Sequence, residues 1–487
     1  MRVNYQVNAT PQFRILSDDQ CQEICSAAFQ VLEDTGFELY SDSKEISNLL
    51  SESGALVEGR RIRFPSFVVQ KALDTAPEVL TVYGRQGNRA TSIEIRPNHI
   101  CYGLGSGCVQ FLDPRTGERR EYHREDAATV ARVADALPNI DFVQSLGTIH
   151  VHPNLVDVYE FAEMIANTDK PIVTYARTLG IVQVIHQIAT AVAGGEKEFV
   201  KRPNYLVLGS PASPLFAEVE PTKRVVYCAR HRIPYISCTA PTCGGTSPAT
   251  LAGTLVQSTA EVLTELVIAQ TANPGAPFLV GGVLSVMDMR SGILSYGAPE
   301  LSLLCAAFAE ISRYLGLPYY STAGATDSKL VDEQAALEGT FSLLLAGLSG
   351  ANMIHDTGFL ESAIVGSLQY VVMMDEVIGM VKHVLRGIQV TPGSMATDVI
   401  SRVGPGGQYL TDDHTMEHFR TEFWFPTLLD RKPWEAWKGA GEKSLGKRAQ
   451  EKLNHILNDH RAPSLPEPTR ERIHTILAEA ETKAAKR

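Results

Sequence analysis

The chain has 487 residues, 44% of them hydrophobic and 20% charged, which is an ordinary composition for a large globular protein. Its formal net charge of −11 at pH 7 opposes the neutralisation of phosphates, so we expect no nucleic acid partner. No uninterrupted apolar run of about 18 residues occurs, so no membrane-spanning helix is predicted.

The N-terminal residues Met1–Phe13 include Arg, Asn, Gln and Pro, and they lack the apolar centre of a signal peptide. The eight cysteines include no C-x-x-C pair, and in a chain of this length they indicate reduced thiols. We therefore expect a cytoplasmic protein.

Residues 1–97 are predicted to form an N-terminal segment of helices and short strands. Apolar residues at helical spacing predict a helix over Asp18–Thr35, and Pro65 begins another. Short strands are expected at Val79–Tyr83 and Ile93–Ile95, and a turn is expected further on at Asp113–Gly117.

Residues 98–403 alternate short apolar runs with longer helical patterns, which predicts parallel strands joined by right-handed crossovers. Eight repeats in about 260 residues fit a closed (β/α)8 TIM barrel better than an open doubly wound sheet, which is the alternative. The apolar runs are His99–Leu104, Ile140–Thr148, Pro171–Ala176, Asn204–Gly209, Pro234–Thr239, Pro277–Val283, Pro318–Ala323 and Ala351–His355. The helical patterns include Asp157–Thr168, Thr222–Arg232, Thr250–Thr271, Pro299–Leu315 and Asp332–Leu348.

Residues 404–487 are predicted to form a C-terminal helical extension. The loop Gly404–Gly407 precedes an aromatic stretch that includes Trp424 and Trp434. Charged amphipathic helices are expected over Lys443–Leu457 and Glu467–Lys486. We expect the extension to pack against the barrel or a neighbouring subunit, which favours a homo-oligomer.

Barrel enzymes place their sites on the loops that follow the C-terminal ends of the strands. Tyr102, Tyr175 and Phe359 are predicted at such loop starts, although a series of aromatic residues is also typical of a core. A quaternary ammonium ion donates no hydrogen bond, so a protein binds it with aromatic faces. Arg177 and His355 could bind a carboxylate at the other end of such a ligand, or they could be structural.

The same loops leave other chemistries open. Zinc ligands are available in a set of cysteines and histidines, although none has a ligand-spaced partner in the sequence. That set comprises Cys238, Cys243, His150, His152 and His355. Glycosidase chemistry needs two facing carboxylates, and the candidates Asp327, Asp356 and Glu361 come from two adjacent loops only. Gly103, Gly105 and Gly107 lack the spacing of a phosphate-binding turn and indicate a tight turn that approaches something large.

Four stretches together resemble the trimethylamine methyltransferase family, and the resemblance runs over nearly the full length. They are Leu32–Leu39, Ser321–Ala335, Gly350–Gly358 and Glu422–Trp437. The resemblance implies a barrel methyltransferase that acts with a separate corrinoid protein. Archaeal trimethylamine enzymes of the family carry pyrrolysine, whereas this chain has only the twenty standard residues, as in the branch known best for glycine betaine.

The resemblance therefore implies methyl transfer from glycine betaine, or from another betaine such as proline betaine, carnitine or γ-butyrobetaine, to cobalt(I) of the corrinoid partner. A quaternary nitrogen leaves as a neutral amine, so the site needs neither an acid nor a metal of its own, and the cofactor supplies the nucleophile. On this hypothesis the chain itself binds no cofactor. Gly103, Gly105, Gly107, Asp327 and Ser328 are expected to face the corrinoid. A zinc-dependent thiol methyltransferase and a non-enzymatic betaine-binding protein are the competing hypotheses.

Overall fold

The computed structural model describes residues 13–485, so most of the polar stretch Met1–Phe13 lies outside the described residues. Helix α1 begins after Ser17, whose hydroxyl caps it, and buries Ile24 and Ala28 as the spacing predicts. A π-helical turn, Val31–Thr35, continues it. In the described part of the N-terminal segment the elements are α1 (Asp18–Gln30), β1 (Phe37–Leu39), α2 (Lys44–Ser53), β2 (Leu56–Glu58), β3 (Arg61–Arg63), α3 (Ser66–Thr75), β4 (Leu80–Val82) and β5 (Ile93–Ile95).

Between residues 98 and 403 strands and helices alternate as the sequence predicts. The strands are β6 (Cys101–Leu104), β7 (Gln110–Leu112), β8 (Arg119–Glu121), β9 (Ile172–Tyr175), β10 (Tyr205–Gly209), β11 (Phe216–Ala217), β12 (Tyr235–Thr239), β13 (Thr242–Cys243), β14 (Phe278–Gly282), β15 (Ser285–Asp288), β16 (Ile293–Ser295), β17 (Tyr319–Thr322), β18 (Met353–Thr357), β19 (Phe359–Leu360) and β20 (Val365–Ser367). The helices are α4 (Arg124–Ala136), α5 (Val156–Asn167), α6 (Leu179–Ala193), α7 (Glu196–Lys201), α8 (Val219–Arg230), α9 (Leu251–Ala272), α10 (Pro299–Tyr314), α11 (Glu333–Ser349) and α12 (Leu368–Leu385).

Seven of these strands form one parallel sheet in the order β6-β18-β17-β14-β12-β10-β9. The sheet closes into a barrel through two parallel bridges, Gly103 with Phe142 and Val143 with Ile172. The fold is therefore a (β/α)8 barrel, and the closed arrangement excludes the open doubly wound sheet.

The second barrel strand is shorter than the run Ile140–Thr148 predicts. The Asp141 carboxylate accepts a hydrogen bond from Tyr102 N at 2.8 Å, so that N–H is not available to a sheet ladder. Leu146 then adopts a φ of 63°, which is incompatible with extended backbone. Strand-like pairing is consequently reduced to isolated bridges at Phe142, Val143 and Gly147.

The hairpin β4–β5 closes the N-terminal end of the barrel. Leu80, Val82, Ile93 and Ile95 pack on apolar side chains from inside the strands. The residue after β4, Tyr83, is held close to the start of β10, because its backbone N donates a hydrogen bond to Pro203 O at 2.7 Å. The barrel interior is consequently solid at this end.

Helix α9 is the one helix among residues 13–485 that is long and apolar enough to cross a membrane. In the fold 72% of its most apolar 18-residue stretch is buried, and the helix packs on α1, α3 and α8 and on strands β12 and β14. It is a core helix of the barrel layer.

The C-terminal extension packs on its own barrel, which is one of the two arrangements predicted. Helix α16 lies on α12 and α4, and α17 lies on α6. Glu376 of α12 anchors the segment at residues 427–429, ahead of α16. Its carboxylate accepts hydrogen bonds from the backbone N–H groups of Thr427, Leu428 and Leu429. The helices are α13 (Thr397–Val403), α14 (Asp413–Glu422), α15 (Trp434–Gly439), α16 (Leu445–Asp459) and α17 (Glu467–Ala484).

Candidate functional site

Two stacked rings occupy the centre of the barrel towards the C-terminal ends of the strands. Tyr320 of β17 and His355 of β18 lie on adjacent strands, and their ring centroids are 4.2 Å apart with planes 12° from parallel. Both side chains point inward because the intervening residues of each strand face the helices. The sequence predicts His355 here, whereas it does not single out Tyr320.

A neighbouring carboxylate fixes the orientation of the histidine ring. Nδ1 of His355 lies 2.6 Å from Oδ1 of Asp356, and Oδ2 of Asp356 accepts a hydrogen bond from the Thr322 hydroxyl at 2.6 Å. Asp356 holds this position with a φ of 79°, which is unusual for a residue with a side chain. The opposite ring nitrogen, Nε2 of His355, is buried and has no hydrogen-bond partner within residues 13–485.

An amide fixes the tyrosine in the same way. Gln144 Nε2 donates to the Tyr320 hydroxyl and to Leu104 O, both at 2.6 Å, while its Oε1 accepts from Ser106 at 3.1 Å. Gln144 follows the two bridging residues of the second strand, so the irregular backbone there aims the amide into the barrel. Both members of the stack are therefore held by buried polar partners.

Further aromatic side chains come from this end of the barrel, with Tyr175 at the end of β9 and Tyr296 directly after β16. Burial raises the pKa of the Tyr175, Tyr296 and Tyr320 hydroxyls, and the negative charge of Asp356 raises each of them further. These hydroxyls therefore stay protonated. The sequence predicts Tyr175 at the site, whereas Tyr296 comes from the hairpin region after β14 and carries no local signal of its place.

Phe359 lies beside Tyr296 at the same end of the barrel. Its ring meets that of Tyr296 edge to face at 6.4 Å, and it is buried. The ring also covers Gly105, where any added Cβ would collide with Phe359 and with the Asp356 carboxylate. Gly105 is therefore required for close packing beneath the aromatic wall.

The prediction for Tyr102 is wrong. Its side chain lies outside the barrel, where its hydroxyl donates to Leu343 O of α11 at 3.3 Å and its ring lies 5.9 Å from Lys382 Nζ. Side chains alternate along a strand, and in β6 it is Cys101 that faces the interior.

Arg177 lies near the mouth but is paired within the chain. Its guanidinium forms an ion pair with the buried Asp157, and its backbone N donates to the same carboxylate at 3.1 Å. Burial raises the pKa of Asp157, while the charge of Arg177 opposes that shift. About half of the Arg177 side chain is exposed, so it can still contact a ligand at the mouth.

Three of the five residues expected to face a corrinoid have structural roles instead. Gly103 is buried against the ring of Phe142, with no room for a Cβ. The Asp327 carboxylate joins three loops, since it accepts hydrogen bonds from the Ser295 hydroxyl, Tyr296 N and the Ser362 hydroxyl. Ser328 is buried and donates to the capping residue Asp332 at 2.8 Å. Gly105 lies under the aromatic wall, and Gly107 is exposed at the rim with open space around it.

The zinc and glycosidase arrangements find no geometric support. Cys238 is inside the barrel, the Cys243 sulfur contacts the Thr254 hydroxyl at 2.9 Å, and His150 and His152 are exposed. None of the proposed zinc ligands belongs to a three-ligand group in the described part of the chain. Of the three candidate carboxylates only Asp356 reaches the centre, because Asp327 is bound in loops and Glu361 pairs with Arg119 at 2.6 Å.

These features define a (β/α)8-barrel protein with a group of aromatic and polar side chains towards the C-terminal ends of its strands, which is where barrel enzymes place their sites. The family model for trimethylamine methyltransferase (MTTB) matches residues 1–484, and the chain belongs to this family. The resemblance drawn from the four sequence stretches is thereby confirmed.

Relatives with two different names share nearly the whole chain. Trimethylamine methyltransferase MttB of Desulfitobacterium hafniense is 33% identical over 96% of this chain and 93% of its own. Glycine betaine methyltransferase from another strain of that species is 32% identical over 96% of this chain and 97% of its own. Trimethylamine methyltransferase MttB of Methanosarcina barkeri is 32% identical over 92% and 91%.

Proposed function

We propose that the protein transfers a methyl group from a quaternary amine, with glycine betaine as the first choice, to cobalt(I) of a corrinoid carried by a separate protein. Identity to the glycine betaine and trimethylamine relatives is nearly equal, at 32% and 33%, so the choice between them rests on the site. The observation that carries it is the buried, unpartnered Nε2 of His355, whose ring stacks on that of Tyr320.

Each end of glycine betaine has a matching group at this end of the barrel. Aromatic faces such as Tyr175, Tyr296 and Phe359 suit the trimethylammonium group, which offers no hydrogen-bond donor. Nε2 of His355 suits the carboxylate when it carries a proton, because Nδ1 then donates to Asp356 and the charge stays paired. Arg177 at the mouth is a second cation for the same carboxylate.

The chemistry of the leaving group explains why one carboxylate and one histidine are enough. The N–CH₃ bond breaks with its electron pair staying on nitrogen, which leaves dimethylglycine with a neutral amine and its carboxylate still ionised, and cobalt(I) supplies the electron pair of the new Co–CH₃ bond. No proton enters or leaves in this step. The chain therefore has to orient the methyl group and exclude water, and the buried rings and fixed side chains at the centre are suited to both.

On this proposal the corrinoid protein docks at the mouth, where the exposed Gly107 leaves open space beside the rim. The chain holds no cofactor of its own, acts in the cytoplasm and forms a homo-oligomer. Other betaines, including proline betaine, carnitine and γ-butyrobetaine, share the two groups that the site would recognise.

The test is to mix the purified protein with a reduced corrinoid protein and one amine at a time. Formation of methyl-cobalt is followed by absorbance. We expect transfer from glycine betaine and none from trimethylamine, because a neutral amine leaves poorly without activation. Transfer from trimethylamine alone, or from no quaternary amine, would contradict the proposal.

A further inference from the structure

Two histidines and a glutamate form a cluster on the helical layer outside the barrel. We call it the outer trio: His186 of α6, Glu196 at the first residue of α7, and His231 directly after α8. Nε2 of His186 lies 2.9 Å from Oε2 of Glu196, and Nδ1 of His231 lies 3.2 Å from Oε1 of Glu196. One nitrogen or oxygen from each residue lies within 4.8 Å of the others, a grouping found nowhere else in residues 13–485.

We propose that the outer trio binds a divalent transition-metal ion, with Zn²⁺ as the best match. Two imidazoles and one carboxylate are ligands that Zn²⁺ accepts, and water completes such a site where it is open to solvent. The site is open here, because the side chains of Glu196 and His231 are 49% and 39% exposed. Magnesium and calcium prefer oxygen ligands, so the two ring nitrogens argue against them.

The surroundings orient His186 as a metal ligand requires. A ligating histidine usually donates its second ring N–H to a fixed acceptor. Nδ1 of His186 lies 3.1 Å from the hydroxyl of Tyr205, which is fully buried in the barrel layer. When Nδ1 donates to this hydroxyl, the lone pair of Nε2 points towards Glu196 and is free to bind an ion.

His231 is held by an aromatic neighbour. Its ring stacks on Tyr227 of α8 with centroids 4.1 Å apart and planes at 30°. Ligand atoms around tetrahedral zinc lie about 3.4 Å apart, so the 4.8 Å spread of the outer trio requires a movement of about 1 Å. The half-exposed side chains of Glu196 and His231 can make this movement while His186 stays in place.

An ion at this place would join α6, α7 and α8, which follow one another around the outside of the barrel. Binding to the folded chain alone raises its stability by mass action. The ion would be structural, and it would lie away from the proposed site of methyl transfer at the barrel mouth. The proposal is therefore independent of the proposed function.

The test is equilibrium dialysis of the full-length, chelator-treated protein against Zn²⁺ alone. Glu196→Gln and His231→Ala remove one ligand each. His418→Ala is the matched control, because His414 and His418 form a surface pair, with ring centroids 4.3 Å apart, that is not part of the outer trio. We expect the affinity of the tightest site to fall by about tenfold or more in both trio variants and to be unchanged in the control.

Two further readouts separate a metal site from a hydrogen-bond network. Zn²⁺ should raise the thermal unfolding midpoint of the wild type and of His418→Ala but not of Glu196→Gln, and Co²⁺ should give visible absorption bands in the same pattern. Equal zinc binding by the wild type and His231→Ala, or loss of the tightest site in His418→Ala, would overturn the proposal.

Discussion

The two ends of the barrel interior are built on opposite principles. At the N-terminal end Leu80, Val82 and Leu279 pack with other apolar side chains around the β4–β5 hairpin. At the C-terminal end a histidine, an aspartate, an amide and several tyrosines share the space, and one buried nitrogen has no partner. Close apolar packing stabilises a protein interior, whereas a buried polar group without a partner costs free energy. The difference separates an apolar, closely packed end from a polar end, where the proposed site lies.

Leu279→Ala should give the largest effect and should act on stability alone. The side chain is fully buried at the closed end, so its loss removes transfer free energy and leaves a cavity. We expect the free energy of unfolding to fall by about 2–5 kcal/mol in denaturant titrations. The KM for the methyl donor should not change, and a KM raised with unchanged stability would show that the two ends are not separate.

His355→Ala should break the functional end. We expect kcat/KM for glycine betaine to fall by about 30- to 100-fold, mainly through KM, because a buried charge-assisted hydrogen bond to the carboxylate is lost. Tetramethylammonium, which has no carboxylate, should be affected far less. His474→Ala on the exposed face of α17 is the control. An unchanged KM for glycine betaine refutes the role assigned to His355.

Phe359→Ala should weaken the aromatic wall. Loss of one ring face around a desolvated cation costs about 1–2 kcal/mol, which is roughly 5- to 30-fold in binding. Isothermal titration with glycine betaine measures it directly. The removed ring leaves Gly105 uncovered, so unfolding should be measured in parallel. Binding within twofold of the wild type would place the cation elsewhere.

Tyr102→Phe should have the smallest effect and would sharpen the boundary of the site. The variant removes the hydroxyl that donates to Leu343 O outside the barrel. We expect stability to fall by about 0.5–1.5 kcal/mol and the KM for glycine betaine to stay the same. A fivefold change in the KM for glycine betaine would show that Tyr102 belongs to the binding site after all.

The sequence predicts seven of the eight barrel strands well, because each of these seven coincides with a clear apolar run between helical patterns. It does not predict which side chains point inward, since strands buried on both faces show no alternation of polarity. Tyr102 and Tyr320 have equivalent apolar surroundings in the sequence, yet the first faces the helices and the second faces the cavity. His355 is singled out because the predicted run Ala351–His355 ends on it, whereas the strand itself continues to Thr357.

Other parts of the site depend on contacts between distant segments. Asp327 looks like a free loop carboxylate until Ser295 and Ser362 are brought to it by the barrel. Gln144 enters the cavity because the second strand breaks off, which no local pattern shows. The outer trio likewise joins residues from three helices.

On the proposed function, the aromatic end of the barrel recognises a permanent positive charge. The most direct test is calorimetric binding of glycine betaine against 3,3-dimethylbutyrate, which has the same shape and carboxylate but a neutral carbon in place of the nitrogen. We expect glycine betaine to bind about 30-fold more tightly, which corresponds to about 2 kcal/mol of cation–π attraction in a desolvated site. Equal affinity for the two compounds would contradict it.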